Sequence, residues 1–497
     1  MRIGKDGSPV LGREKGSKPS PRRQLTVPAF TLAFAAVVVL GGCAGKPDES
    51  KRGTVGFVQG FLGGVVADEP RAALTGREIL SVGGSAADAA VATYFALAVT
   101  LPSTATLGGG GICLVHDPAK NKDKASMLDF VAPASKASAG SGTTAVPMNT
   151  RGFFMLHARH GRLKWEQLAA PAVNMARFGV PLPRALARDM ASAGSPLARD
   201  GEARRIFGRA DGAVLLGEGD RLIQVDLAAT LDRIRTQGPG DLYAGAGARR
   251  LAETYRAAGY ALDRDELRDA VPTWREPAAF PIESQGRRAL AYFTVAPALA
   301  GSAAGRIVAQ LADKDRYARA GDGERVPLFL DAARRALAEF PAAAGPAQGS
   351  SATAFVAADR DGQVVACAVT PHRPFGVGRV APGTGILIAA PPSPGGDGLA
   401  ATIVNDRRGD GVLFAAAAGG ASSATAIAQV AAHTMFAGRL LEDALAEARL
   451  YPTGTAGIAG HDGVVNALAC PGGLRDDPGS CSLRPDPRGL GLAATAN

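Results

Sequence analysis

No set of Cys and His residues in this chain has metal-ligand spacing, so the usual signature of a metal centre is missing. Nor is there a block of Lys and Arg interleaved with aromatics, and nucleic-acid binding is not expected. The glycine run Leu107-Gly-Gly-Gly-Gly-Ile-Cys-Leu-Val-His116 is not followed by Lys-Ser or Lys-Thr and opens no helix, which excludes a phosphate-cradling nucleotide loop. Nothing in the chain implies a cofactor. An apolar run from about Leu25 to Leu40, interrupted by Thr26, Pro28 and Thr31, falls short of the about 20 residues a membrane-spanning helix needs. Cysteine is scarce, with five in 497 residues.

That short apolar run has another use. Lys5, Arg13, Lys15, Lys18, Arg22 and Arg23 precede it, as a basic n-region precedes the h-region of a signal peptide. Leu40-Gly41-Gly42-Cys43 then resembles the bacterial lipobox, in which small residues fit a peptidase cleft and the thiol accepts lipid. The expectation is export, cleavage before Cys43 and attachment to a membrane through that cysteine. A plain signal peptide with an incidental cysteine is the competing reading. Ala44 is not the Asp associated with inner-membrane retention, so the periplasmic face of the outer membrane is favoured over the inner membrane. Residues 1–42 are thus read as signal peptide and 43–52 as a polar tether, followed by two regions, 53–351 and 352–497.

The remainder can build a sizeable core, with 46% apolar residues, and should be rich in turns, with 64 Gly and 33 Pro. Part of the net charge of +9 lies in the leader. Cys113 and Cys367 sit in apolar, strand-like runs and are expected as core residues. Cys470 and Cys481 flank the turn-rich Pro471–Ser480 and could form a short-loop disulfide in an oxidising compartment. Arg71–Val82 reads as a helix stopped by Gly83-Gly84. Ser85, with Asp88 three residues on, reads as the capped start of a buried helix over Ala86–Thr100. From about Pro147 to Glu339 the pattern is mainly helical. Phe355–Ala358 and Gln363–Thr370 flank the turn Asp359-Arg-Asp-Gly362 as a hairpin. Thr384–Ala390 is a further strand, Thr402–Asn405 and Val412–Ala416 another pair, and Ser422–Phe436 and Leu440–Leu450 are helices. Helices at both ends with strands inside them suggest an α+β protein with two stacked sheets between helical layers.

The pattern resembles the γ-glutamyltranspeptidase (glutathione hydrolase) family across roughly Gly53–Ala493. Gly83-Gly-Ser-Ala-Ala-Asp-Ala-Ala-Val-Ala92 resembles its Gly-Gly-Asn-Ala-x-Asp-Ala-Ala-Val-Ala helix start, and Gly108–Gly111 its glycine run. Asp226-Leu-Ala-Ala-Thr-Leu231, Asp241-Leu-Tyr-Ala-Gly245, Asp359-Arg-Asp-Gly-Gln-Val-Val365, Phe375-Gly376, Pro382-Gly-Thr-Gly-Ile-Leu387 and Asp486-Pro-Arg-Gly489 continue it in order. The resemblance implies an N-terminal-nucleophile αββα sandwich. It also implies a precursor that cleaves itself, exposing a threonine whose hydroxyl attacks a γ-glutamyl amide with its own α-amine as base. Backbone N–H groups would hold the oxyanion.

Aligned on Asp359-Arg-Asp-Gly362, the family's nucleophilic threonine falls on Ala352, which has no hydroxyl, and its second threonine on Thr353. Thr353 faces the other side of the strand, Ser350 lies about 6 Å back along it, and Ser351 is both shifted and flipped. The family's arginine and glutamate after Asp129-Phe130 are replaced by Val131 and Ala132. Its carboxylate-binding Ser-Ser run reads Asp397-Gly-Leu-Ala-Ala401, and its Asn-Asn and amine-binding Asp segment reads Ile388-Ala-Ala-Pro-Pro392. His372 stands where the family has an Asn near the nucleophile. It is either a hydrogen-bonded or surface loop residue, or a new base partnered by Asp397 or Asp361. Gly419-Gly420 keeps the oxyanion feature. His157 and His160, three apart on a helix with no third ligand, are expected to face solvent.

Three functions remain open at this point. The leading one is an exported family-like lipoprotein with lost or much reduced γ-glutamyl transfer and hydrolysis. The second is a working enzyme using Ser350, Ser351 or Thr353 after autocleavage. The third is a binding protein reusing the old pocket for a small γ-glutamyl or peptide ligand.

Overall fold

The computed structural model describes residues 61–121, 124–137, 142–192, 196–209, 214–344, 351–393, 398–407, 411–420, 422–452 and 463–497. The expected leader and tether, Cys43, Ser350 and Asp397 lie outside the described residues.

Two large antiparallel sheets carry the fold. In the first, the strand order is Leu492–Ala496, Gly63–Ala67, Thr353–Asp359, Val364–Thr370, Gly110–His116, Ala125–Phe130 and Thr273–Arg275. In the second it is Ser482–Arg484, Val464–Ala469, Val412–Gly419, Ala400–Asp406, Arg287–Phe293 and Ala278–Ser284. Side chains alternate across each strand, so each sheet presents two faces. Val66, Ile112, Leu114, Val356 and Ala366 of the first sheet meet Ala401, Ile403, Ala415, Ala417 and Leu468 of the second in one buried cluster. The opposite face of the first sheet, with Val65, Val115, Phe355 and Cys367, packs on helices that include Pro70–Ser81, Ala86–Thr100, Asn149–His160 and Trp165–Phe178. The outer face of the second packs on Leu299–Leu311, Asp322–Glu339, Ser423–Met435 and Leu441–Ala446. Three apolar layers between four structural ones make the αββα sandwich.

Local chemistry explains the element ends near the centre. Pro70 opens its helix, where a missing N–H costs nothing, and the Glu69 carboxylate accepts from the Ala72 N–H at 3.0 Å. Ser85 and Asp88 form the expected capping box, and every residue of Ala86–Thr100 is buried. That helix start is bolted to the Asp359 hairpin. Asp359 Oδ2 accepts from Ala86 N at 3.0 Å, and Gln363 Oε1 accepts from Ala87 N at 2.8 Å. Asp359 Oδ1 meanwhile accepts from the N–H groups of Asp361 and Gln363, which closes the turn. Two of the sequence motifs are therefore one structural joint.

Several expectations need correction. The middle stretch contains the hairpin Ala278–Ser284/Arg287–Phe293, which supplies one edge of the second sheet. Its outer strand alternates exposed and covered residues and carries Pro281, so it offers no continuous apolar run; proline is tolerated because the strand is an edge. The described chain begins and ends in strands, not helices: Gly63–Ala67 pairs with Leu492–Ala496. Such pairing between distant segments leaves no local signal. The expected strand Thr384–Ala390 shrinks to Ile386–Leu387, and the helix over Leu440–Leu450 to Leu441–Ala446. His157 and His160 do not face solvent. His160 is buried with Nδ1 2.7 Å from Asp117 Oδ2, and His157 Nε2 lies 2.8 Å from the Leu163 carbonyl. The helix turns this end inward, against the joint at Ser85 and Gln363. Cys113 and Cys367 are core residues, but they are also joined as a disulfide between paired positions of adjacent strands. Cys470 and Cys481 are bridged as well.

Candidate functional site

The site lies where the Thr353–Asp359 strand begins. Ala354, Val356 and Ala358 point between the sheets, while Phe355 and Ala357 point to the helices. Ala352, two residues before Ala354, shares its side and packs against the inter-sheet cluster. Across from it is the end of the Val412–Gly419 strand. A methyl group built on Gly419 would stand 2.6 Å from the Ala352 methyl, closer than real carbon atoms approach, so only glycine fits there. Gly420 has φ +99°, and a Cβ built on Gly398 would lie 1.9 Å from the Gly420 carbonyl oxygen. Glycine is thus required at Gly419 by close packing and at Gly420 by its positive φ, whatever else their N–H groups do. Together with Ala352 it borders a cavity of about 300 Å³ whose polar wall includes Asp68, Arg188, Asp189 and Ser351.

The hydroxyls beside Ala352 are differently placed. Thr353 is 1% exposed, and its Oγ1 donates to Asp68 Oδ2 at 2.7 Å. It does not line the cavity. Asp68 also accepts from the Ala354 N–H at 3.0 Å and the Asn466 amide at 2.8 Å. Burial nevertheless raises its carboxyl above the ordinary aspartate range, and these hydrogen bonds only partly offset that. Ser351 does line the cavity. Its Oγ donates to the Ser103 carbonyl at 3.3 Å, a partner that cannot take up a proton as a base. Thr370 Oγ1 donates to the Ser351 carbonyl and accepts from the His372 N–H at 2.7 Å, fixing the entry to the strand.

His372 is not among the residues that line the cavity. It is fully buried at φ +69°, and its Nε2 lies 3.0 Å from the Ala132 carbonyl oxygen. Asp361 is on the hairpin turn, half-exposed and paired with Arg162. Asp361 is thus engaged elsewhere, and His372 is a buried, hydrogen-bonded loop residue; its other considered partner, Asp397, lies outside the described residues. Asp129 of the Asp129-Phe130 motif holds Arg275 at 2.8 Å and caps the Val131 N–H at 3.1 Å, a structural duty. Val131 and Ala132 supply no charge beside it. Sequence reading missed Asp68, Ser103, Arg188 and Asp189. Ser103 Oγ donates to Asp189 Oδ2 at 2.5 Å, and Arg188 Nε lies 3.7 Å from Asp189 Oδ1. Asp68 and the Arg188-Asp189 pair reach the cavity from two separate segments, Ser103 is hydrogen-bonded to Asp189, and no local motif marks any of them.

The sequence model of the family described as gamma-glutamyltranspeptidase matches residues 72–343. The glutathione hydrolase proenzyme of Escherichia coli (strain K12) is 28% identical over 385 residues, covering 67% of this chain and 66% of that protein. Glutathione hydrolase 3 of Arabidopsis thaliana is 32% identical over 228 residues, covering 44% of this chain and 36% of that protein. The chain thus spans less than two thirds of the length of these relatives. Among solved structures, the cephalosporin acylase from Bacillus halodurans superposes with a TM-score of 0.67 at 20% identity, covering 92% of this chain and 99% of that one, which is a likeness of fold. With more than half of its length matched by the family model, the chain belongs to the gamma-glutamyltranspeptidase family.

Proposed function

We propose that this protein is an exported, lipid-anchored member of the family that stays a single chain and has lost γ-glutamyl transfer and hydrolysis. The observation that carries the reading is Ala352: a methyl group stands against Gly419, at the position that the family's alignment gives to the attacking threonine. An alkyl carbon can neither displace the preceding peptide bond nor form an acyl-enzyme. The residues that would orient a zwitterionic glutamyl group are replaced as well, by Val131, Ala132 and the apolar Ile388–Pro392. The remaining cavity, at the small end of the range for ligand sites, is suited to holding a small ligand without turning it over.

The test is turnover of γ-glutamyl-p-nitroanilide by the purified protein, with background release expected. One specific observation favours a second reading, because Ser351 lines the cavity. Turnover abolished by Ser351→Ala would establish that reading and end the first. The anchor is tested separately: labelled palmitate is expected to enter the wild-type protein and not Cys43→Ala, and equal labelling of both would remove the lipoprotein assignment.

A further inference from the structure

Three of the sequence motifs take no part in the Ala352 cavity, yet they meet in another one. Thr230 of the Asp226–Leu231 motif, Asp241 of the Asp241–Gly245 motif, and Pro382, Gly383 and Thr384 of the Pro382–Leu387 motif border a cavity of about 240 Å³. Helices Val225–Gln237 and Gly245–Ala257 form its walls, with Arg233 from the first and Arg250 from the second. The Pro382–Leu387 segment is pressed onto the first helix: a Cβ on Gly385 would lie 2.5 Å from the Leu227 amide nitrogen. Thr230 Oγ1 donates to the Thr384 carbonyl at 2.8 Å, pinning the same two segments.

The charges inside are unbalanced. Asp241 Oδ2 lies 3.6 Å from Arg233 Nε and 3.5 Å from Arg250 Nη2, so one carboxylate oxygen serves two guanidinium groups. Both separations exceed the about 2.7–3.2 Å of an N–H···O hydrogen bond. Asp241 Oδ2 and Arg233 Nε are themselves buried, and neither has a hydrogen-bond partner among the described residues. Two fixed cations and one anion face the cavity, and its other lining residues are uncharged. A buried N–H is almost always satisfied, so the Arg233 Nε–H calls for an acceptor, and guanidinium forks bind oxyanions with paired N–H···O bonds. A cation would be repelled.

We propose that this cavity binds a small oxyanion, a carboxylate or phosphate group, between Arg233 and Arg250, with Asp241 setting its net charge. The experiment is calorimetric titration of the full chain with inorganic phosphate and, separately, with malonate, at ionic strength fixed with sodium chloride. Saturable binding with Kd below about 1 mM is expected for at least one of them. Phosphate alone would assign a phosphate-bearing ligand, and malonate alone a carboxylate. Arg250 is 54% exposed and can be removed without opening the core. Arg250→Ala should weaken binding by about tenfold or more, and Asp241→Asn, which removes the competing anion, should tighten it. Absence of saturable heat with both anions, or equal affinity in wild type and Arg250→Ala, would overturn the proposal.

Discussion

The purified protein is expected to stay one polypeptide, and any γ-glutamyl turnover should lie about six orders of magnitude below that of an enzyme with an intact nucleophile, the scale of loss when such a group is removed. On the proposed reading, self-cleavage and attack on substrate would use the same hydroxyl, and a methyl at Ala352 would remove both at once. Among the described residues, the neighbouring hydroxyls are engaged elsewhere. The Thr353 hydroxyl is engaged by Asp68 and does not line the cavity, while the Ser351 hydroxyl rests on a carbonyl. The Gly419-Gly420 backbone alone could contribute oxyanion stabilisation, which is worth about a hundred- to a thousandfold per donor and requires a nucleophile to act upon. A fragment pair divided near Ala352 is not expected under any expression condition.

Asp486→Ala should destabilise the fold by about 3–5 kcal/mol, read as a lowered urea midpoint with an unchanged slope. Asp486 is buried, and one of its oxygens accepts from Arg449 and from the Val465 N–H at 3.1 Å. Its other oxygen accepts from the Arg488 N–H at 3.0 Å and from the Arg488 guanidinium at 3.2 Å. Arg488 in turn donates to the carbonyls of Leu445 and Glu447, at the end of the Leu441–Ala446 helix. Arg449 is only 4% exposed, and burial holds its pKa below the usual arginine value. Without Asp486 that charge stays in the interior uncompensated, which is what makes the single substitution severe. Replacing both partners by apolar residues, Asp486→Leu with Arg449→Met, should restore much of the loss. A change under about 1 kcal/mol for Asp486→Ala would mean that the pair is solvated and that this account of it is wrong. Gly489 and Leu490, at the end of the motif and just beyond it, border the Ala352 cavity, so the same charge network also holds one of its walls.

The sequence is legible where structure is made locally. The capped helix Ala86–Thr100 and the Asp359 hairpin follow from Ser85, Asp88 and the Asp-x-Asp-Gly turn, each read from neighbouring residues. What escaped was made by partners far apart in the chain. Gly63–Ala67 is a strand because Leu492–Ala496 and Thr353–Asp359 flank it, and Asp68 enters the site only as a consequence. The Ala278–Ser284 strand is hidden because an edge strand needs only one covered face. The substituted positions at the site, Ala352 above all, were legible by alignment on Asp359-Arg-Asp-Gly362. The engagement of Thr353 with Asp68 and of His372 with Ala132 depends on side-chain packing that no spacing encodes.

The central claim is that the position of the attacking hydroxyl is chemically silent in this protein, and intact-mass measurement of the purified chain tests it most directly. A single mass that accounts for the whole mature polypeptide, unchanged on prolonged incubation, is the predicted result. Two masses that sum to it plus one water, with the smaller fragment beginning at Ser350, Ser351 or Thr353, would contradict the claim and name the residue that acts in place of Ala352.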